Sequence, residues 1–451
     1  MPRHTRIRTL LPAVAGWAVI AALTVLTAPR SALALPSFAE QTGQPCAACH
    51  VGAFGPQLKP YGREFKLYGY TATDGKPHGL PIAATAQASF THTDANQPSP
   101  ASRWFASNNN PAFDQASVYY AGKIAPHTGG FIELNYDGVG KKLQLNNADL
   151  RYADDATVLD TDFVYGFGFN NSPSVQDIWN SSPAWGFPYN RSALAPTPMA
   201  AAQIDGSLAQ QVAGASIYVL WDDLIYAEAA LYQGLAGDVR NALGQVPVTG
   251  ANKVIGVVPY WRLALQHQLG NHYLQVGLYG LTAAIGPGGL SPGGATDRFA
   301  DTALDANWQW IFDSTKVTSD MVSAHATYIR EDATLGASSA ALASNPRDRL
   351  DTFRADISYS RAATWTPSVQ YFRTAGSLDP AYWGTPSGRP NSAGFVAELA
   401  YVPFGKPDSP FNWFNIRLAA QYIAYTRFDG ATTRASANNA LYLSAWTAIH
   451  F

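Results

Sequence analysis

The chain has 451 residues and a formal net charge of −2, which does not favour a nucleic-acid partner. Charged residues make up only 14% of the chain and aromatic residues 12%, while the mean hydropathy is slightly negative. Helical membrane proteins are far more apolar, whereas transmembrane β-strands turn only every second side chain towards lipid. The composition therefore argues against a bundle of membrane helices and favours a large β-barrel.

The first 34 residues have the pattern of a secretory signal. Arg3, Arg6 and Arg8 form a basic start, an apolar stretch covers residues 10–28, and residues 32–34 (ALA) form a small-residue cleavage site. An uncleaved anchor helix is the alternative interpretation. We expect residues 1–34 to be removed on export. No later apolar run is long enough for a spanning helix.

A haem attachment motif follows, Cys46-Ala47-Ala48-Cys49-His50. Each thiol can add to one of two vinyl groups on the same porphyrin edge, and the next residue can bring its imidazole under the iron. We expect Cys46 and Cys49 to carry thioethers to one covalent haem c, and His50 to be the proximal iron ligand. The alternative is a chance CxxC or a disulfide. These are the only cysteines in the chain, so neither has another partner.

Residues 35–80 are predicted to form a c-type haem-binding segment that is too short to build a large core of its own. After the motif, Leu58, Tyr61, Phe65 and Tyr68 recur at helical spacing. A short helix could therefore turn one apolar face towards the porphyrin. Tyr61 and Phe65 are candidate haem contacts on that face.

Two basic residues and one histidine complete the candidate site. Arg63 and Lys66 could pair with the haem propionates, or they could be solvated charges on an amphipathic helix. His78 is the nearest further histidine and the first candidate for the sixth iron ligand, although a loop histidine without iron contact fits the same position. The second possibility is that the protein supplies no strong sixth ligand, and the third is that Met321 is the sixth ligand.

Residues 35–43 (LPSFAEQTG), the CAACH motif and residues 65–70 (FKLYGY) together resemble the fused cytochrome–porins of bacterial outer membranes. These are monohaem proteins known as iron-oxidising outer-membrane cytochromes. The resemblance covers residues 35–70 in motif and the rest of the chain in architecture only. It implies one N-terminal c-type haem and a barrel of about sixteen strands. In some members the activity is oxidation of extracellular Fe²⁺.

Residues 81–451 are predicted to form an outer-membrane porin-like β-barrel. About sixteen segments alternate with period two, from Ile82–Thr93 to residues 441–451. Their connections tend to alternate between short and long, as periplasmic turns and outer loops do, with exceptions at residues 138–141 and 403–412. One of the predicted short turns covers residues 153–156. The predicted fold class is mainly β, an antiparallel transmembrane barrel of about 16 strands with a small N-terminal haem segment.

Charged residues inside the predicted strands should face the lumen, because a charge on the lipid face costs about 2–4 kcal/mol near the midplane. The acids could pair with lumenal arginines or attract a divalent cation. The long loop at residues 170–210 is predicted to be either an extracellular cap or an infolded constriction. The charged strand residues are Glu133, Asp149, Asp162, Glu228, Asp305, Asp320, Arg354, Asp356 and Glu398.

These patterns favour an outer-membrane electron-transfer protein. Single electrons would pass between an extracellular donor, Fe²⁺ among the candidates, and a periplasmic cytochrome or other electron carrier. The alternatives are a passive outer-membrane porin with a structural or sensory haem segment and a soluble periplasmic β-protein with a haem. Outer-membrane lipid is an expected partner. The haem segment is expected in the periplasm or inside the barrel lumen.

Overall fold

The computed structural model describes residues 36–450, apart from 99, 101–102, 246–251, 289–294, 341 and 412. The predicted signal segment and Phe451 lie outside the described residues. The described chain forms one large antiparallel sheet that closes on itself, because its last strand pairs with its first and sets His450 opposite Ala83. Among the described helices, none has the length and apolar character needed to cross a membrane.

The closed sheet has 16 strands, which confirms the predicted fold class. The eighth strand is interrupted at Gly256, whose φ of +71° belongs to the left-handed region, and both of its parts pair with the ninth strand. The strands are β1 Ile82–Thr93, β2 Asn110–Ala125, β3 Thr128–Asp137, β4 Lys142–Val158, β5 Thr161–Asn170, β6 Val212–Trp221, β7 Ile225–Gly234, β8 Lys253–Ile255 with Val257–Leu269, β9 His272–Gly286, β10 Asp297–Ile311, β11 Met321–Leu335, β12 Arg347–Ser360, β13 Trp365–Gly376, β14 Ser392–Tyr401, β15 Phe414–Arg427 and β16 Ala440–His450.

Side chains alternate between the lumen and the outer face along each strand. In β10, Asp301 and Asp305 are buried at 4% and 1% exposure, whereas the outward-facing Leu304 is 49% exposed. In β8, the outward-facing Leu263 and Leu265 are 53% and 56% exposed. The lumen therefore carries polar residues, and the outer face carries large apolar ones. In barrels of this type, lipid covers such an apolar outer face.

One predicted turn is wrong. The sequence places a turn at residues 153–156, but β4 continues to Val158 and the chain reverses at Leu159 and Asp160, whose φ angles are 52° and 60°. Two consecutive left-handed residues fit the tight hairpin turn whose twist matches that of the strands. Strand alternation does not show where such a turn falls, because the alternation continues on both sides of it.

Residues 36–81, which we call the plug, fill the end of the barrel that carries the short turns. Lys59 Nζ donates to the carbonyl of Val317 at 2.8 Å, and Ala47 N donates to the carbonyl of Gly405 at 3.0 Å. Both acceptors belong to turns at that rim, so the plug lies inside the ring of strands. Its helices are α1 Pro36–Thr42, α2 Cys46–Cys49 and α3 Pro60–Leu67.

Residues 171–211, which we call the inner loop, connect β5 to β6 and fold into the lumen. The carbonyl of Phe187 accepts from Gln370 Nε2 at 2.6 Å on the opposite wall. Tyr189 OH donates to Gln57 Oε1 of the plug at 2.9 Å. The infolded constriction, one of the two predicted alternatives, is therefore the arrangement in the structure.

Carboxylates on the lumenal wall pair with neighbouring arginines. Arg151 Nε lies 2.9 Å from Asp149 Oδ2, and Arg262 Nη2 lies 2.7 Å from Asp305 Oδ2. All four side chains are at most 1% exposed. These acids therefore pair internally, which is one of the two roles predicted for them. Loss of one partner would leave the other charge buried and unpaired, at a cost of about 3–5 kcal/mol.

Candidate cofactor site

The CAACH motif lies in the plug on α2, a single helical turn that begins and ends with the two cysteines. Neither cysteine is part of a disulfide, and they are 2% and 8% exposed. Burial raises the pKa of both thiols to about 12, so both are protonated when nothing is attached to them. Asn415 Nδ2 lies 3.3 Å from Cys46 Sγ. Because no disulfide uses either thiol, both could carry a thioether bond.

A close backbone contact holds α3 against the motif. A Cβ atom on Gly62 would lie only 2.5 Å from the carbonyl oxygen of Cys49. The same carbonyl accepts a hydrogen bond from Lys59 N at 2.8 Å. Glycine is required at position 62 because any side chain would separate the helix from the motif.

Gly62→Ala is expected to loosen the plug, because the added methyl group overlaps the Cys49 carbonyl and overpacking costs about 1–3 kcal/mol. The rate at which a maleimide labels the plug cysteines in haem-free protein should rise about tenfold. Gly79→Ala is the matched control, since no atom lies within 4 Å of a Cβ built there. Equal labelling rates in both variants would contradict the tight contact between α3 and the motif.

His50 follows α2 in an extended conformation, with φ −116° and ψ 142°. Its Nδ1 atom is buried and has no hydrogen-bond partner in the described part of the chain. Burial lowers the pKa of the imidazole to about 4, so the ring is neutral. A neutral imidazole is the form that binds a metal.

Cys49 and His50 line a cavity of about 800 Å³ between the plug and the barrel wall. This volume falls in the range of about 300–1,000 Å³ that is usual for small-molecule and cofactor pockets. The plug side is aromatic, with Phe38, Phe54 and Phe65. The facing wall is polar and includes Gln87, Gln115, Glu133, Asn135, Asn146 and Asn147.

These features fit a covalently bound porphyrin. The two free thiols have the spacing of the attachment motif, and the imidazole after them carries a nitrogen without a partner. Cys49 and His50 are directly at the cavity, while Cys46 lies at the start of the same helical turn and does not line the cavity. The aromatic side of the cavity offers a flat apolar ligand the contacts that it needs.

The helix α3 brings only some of the predicted contacts to the cavity. Phe65 and Lys66 line the cavity, whereas Tyr61 and Arg63 do not. Tyr61 is partly exposed, and Arg63 is buried with its Nη1 2.6 Å from Gln309 Oε1 on β10. One face of α3 therefore meets the cavity while another is bonded to the barrel wall.

Lys66 connects the plug to the inner loop. Its Nζ donates to the carbonyl of Val175 at 2.6 Å, to the carbonyl of Asp177 at 2.7 Å and to Asn180 Oδ1 at 2.6 Å. An ammonium group has three N–H donors, so these three acceptors use all of them. The pairing of Lys66 with a propionate stays a prediction.

His78 lies apart from His50 and does not line the cavity. Its Nε2 is 2.6 Å from Asp74 Oδ1, and its Nδ1 is 3.9 Å from Glu40 Oε1. The described residues that line the cavity include neither a second histidine nor a methionine. The sixth iron ligand therefore stays a prediction.

Several cavity residues were not identified from the sequence. Asn180, Trp185 and Tyr189 reach the cavity from the inner loop, and Trp446 reaches it from β16. The density of aromatic residues in the inner loop was a usable signal, because exposed loops seldom carry so many. Asn180 and Trp446 have no such local signal.

No family model and no curated protein matches this chain. Its structure is similar to an anion-selective porin from Comamonas acidovorans, with TM-score 0.44 and 10% identity over 82% of this chain and 98% of that chain. It is also similar to the outer membrane channel DcaP of Acinetobacter baumannii, with TM-score 0.44 and 10% identity over 82% and 96% of the two chains. OmpT of Vibrio cholerae matches with TM-score 0.41 and 9% identity over 82% and 97%.

These TM-scores lie below 0.5, so the functional assignment rests on the residues of this chain. Fold and site together define a closed β-barrel whose lumen holds a plug with a candidate covalent cofactor site.

Proposed function

We propose that this protein is an outer-membrane electron-transfer protein that carries one covalent haem c inside its barrel. The observation that carries this proposal is the position of the CAACH motif, whose Cys49 and His50 line a large lumenal cavity. Electrons pass singly between an extracellular donor and a periplasmic cytochrome or other carrier. Fe²⁺ is the first donor to test, since it is the donor of some members of the family that residues 35–70 resemble.

The exterior of the barrel supports a membrane location. Its strands are 10 to 17 residues long, and β8 is counted here as its two parts together. A tilted strand needs about 9–11 residues to cross a bilayer. Outward-facing leucines such as Leu263 and Leu304 are half exposed in the absence of lipid. Bacterial barrels of this kind lie in the outer membrane, which would leave the short turns and the plug on the periplasmic side.

When bound, the haem supplies the one-electron exchange. The residues of this chain provide its attachment and surroundings. Cys46 and Cys49 hold the group covalently, and His50 binds its iron. Phe38 and Phe65, whose rings are 5.1 Å apart, give the plug side of the cavity an apolar surface. No acid–base residue is required, because the transfer of one electron needs no proton movement by the protein.

The polar wall of the cavity supports a cationic donor. Asp114, Glu133 and Asp137 line the cavity on β2 and β3, and Asp205 lines it from the inner loop. Two cations, Lys66 and Arg191, line the same cavity, so the acids outnumber them by four to two and would raise the local concentration of a divalent cation. Glu133 also accepts hydrogen bonds from Ser117 Oγ at 2.7 Å and from Tyr119 OH at 2.8 Å, which fix its position.

A passive porin with a structural or sensory haem segment is the second candidate. The amide-rich wall of the cavity favours it, because such a surface lets water and small polar solutes pass. The two candidates differ in conductance, since a plugged electron carrier passes few ions and an open porin passes many.

The test compares the wild type with the Cys46→Ala, Cys49→Ala double variant in isolated outer membranes. We expect haem to remain on the wild-type chain after denaturing electrophoresis and to be absent from the variant, since thioethers survive denaturation. Stopped-flow mixing with Fe²⁺ should then produce the reduced haem bands in the wild type. A wild-type chain without covalent haem would overturn the proposal. If no extracellular donor reduces the haem and the conductance is high, the passive porin is the better assignment.

A further inference from the structure

Asn180 of the inner loop contacts the plug at two separate places. Its Nδ2 donates to the carbonyl of Pro56 at 2.8 Å, and its Oδ1 accepts from Lys66 Nζ at 2.6 Å. Pro56 lies in the turn that follows His50, whereas Lys66 lies on α3. Asn180 is only 9% exposed and lines the same cavity as these residues. One side chain therefore joins two parts of the plug across the candidate site.

A second contact supports the same turn. Tyr189 OH donates to Gln57 Oε1 at 2.9 Å, and the carbonyl of Gln57 accepts from Val51 N at 3.0 Å. Val51 is the residue directly after His50. The inner loop thus bonds to the chain segment that returns from His50 to α3, and it does so at two consecutive residues, Pro56 and Gln57.

The inner loop is itself fixed to the outer half of the wall. Ile204 N donates to Asp301 Oδ2 at 2.6 Å, and Gln203 N donates to Glu331 Oε2 at 2.8 Å. Asp301 lies near the outer end of β10 and Glu331 near the outer end of β11, as the chain order of these strands requires. Asn180 therefore belongs to a loop that is anchored near the outer end of the barrel, whereas the plug lies at the other end.

We propose that Asn180 is a positioning residue for His50, which makes the inner loop a structural link between the outer mouth and the iron site. The proposal rests on the proposed function in so far as His50 binds iron. Without the Asn180 side chain, the carbonyl of Pro56 and one N–H of Lys66 lose a buried partner. The turn at residues 54–57 can then move away from α3, and His50 moves with it.

The test uses three variants of the full, haem-loaded chain. Asn180→Leu removes both contacts at similar size, but it also places a branched side chain at a left-handed residue, since the φ of Asn180 is +50°. Asn180→Asp tolerates that conformation and keeps the acceptor for Lys66, but it cannot donate to Pro56. Asn171→Leu is the control for the loss of a buried amide from the same loop. Asn171 is 6% exposed in the same loop and has one donor and one acceptor bond, both to β4 and none to the plug.

The readouts are the Soret spectrum and the midpoint potential of the loaded protein, because a purely structural role would leave both unchanged. We expect Asn180→Leu to shift the Soret band and to change the oxidised-to-reduced ratio at a fixed applied potential about tenfold. Asn180→Asp should give a smaller shift, and Asn171→Leu should match the wild type. If Asn180→Leu does not insert, Asn180→Asp decides alone. Wild-type spectra and potentials in the Asn180 variants would overturn the proposal.

A second measurement separates this proposal from the proposed function. In haem-free protein, maleimide labelling of the plug cysteines should be about tenfold faster in Asn180→Leu than in the wild type or Asn171→Leu. If the wild type never binds haem but this difference appears, the proposed function fails while the position of the His50 segment still depends on Asn180. Equal labelling rates in such haem-free protein would overturn the positioning role.

Discussion

His50→Ala is expected to abolish electron transfer while the barrel still inserts into the outer membrane. Under the proposed function, the variant would lose the proximal iron ligand, while Cys46 and Cys49 could still hold the porphyrin. The rate at which Fe²⁺ produces the reduced haem bands in stopped-flow mixing should fall by about 100-fold or more. His50 belongs to the plug and to none of the sixteen strands, so its loss should leave the ring of strands intact.

His92→Ala is the control for this experiment. His92 lies on β1, where its Nδ1 is 2.8 Å from Asn109 Oδ1, and it does not line the cavity. Its rate of haem reduction should match that of the wild type. A His50→Ala chain that reduces its haem at the wild-type rate would contradict the ligand role, and one that fails to insert would contradict the independence of plug chemistry and barrel assembly.

Deletion of residues 36–78 is expected to convert the barrel into a conducting pore. Barrels of 16 to 18 strands enclose an aqueous channel, and here the plug and the inner loop occupy it. Removal of the plug leaves the ring of strands complete, since β1 begins at Ile82. Single-channel conductance in planar bilayers should therefore rise roughly tenfold relative to the intact protein.

The Cys46→Ala, Cys49→Ala double variant separates the effect of the plug from the effect of the haem. It keeps the plug and removes the attachment sites, so its conductance should remain close to that of the wild type. If the wild type already conducts as well as the deletion variant, the plug does not close the lumen and the passive porin becomes the better assignment.

The barrel could be predicted because its walls follow a local pattern. Inward and outward positions alternate along each strand, and β1 lies at Ile82–Thr93, as predicted. The turn at Leu159 and Asp160 could not be placed, because residues of both β4 and β5 continue the same alternation around it. The fold of the inner loop depends on contacts with distant walls, such as that between Phe187 and Gln370, which no local pattern reports.

The candidate site was predictable only where its residues are neighbours in the chain. The motif consists of one helical turn, Cys46–Cys49, and the residue after it, His50, so its spacing carries the chemistry. Asn180 is 124 residues from Pro56, and nothing in the sequence between them indicates the contact. Arg63 lies on the same helix as Phe65, yet it bonds to Gln309 of the wall, because a helical pattern does not say which neighbour each face meets.

The contact between Glu40 and His450 has a consequence for the order of biogenesis. Glu40 Oε2 of α1 lies 2.9 Å from His450 Nδ1, so the first described helix touches the final strand. The plug therefore contacts the barrel at the seam where β16 pairs with β1. In this closed arrangement Cys46 and Cys49 are only 2% and 8% exposed. Under the proposed function, an enzyme that attaches the haem would have to act before the last strand completes the cylinder.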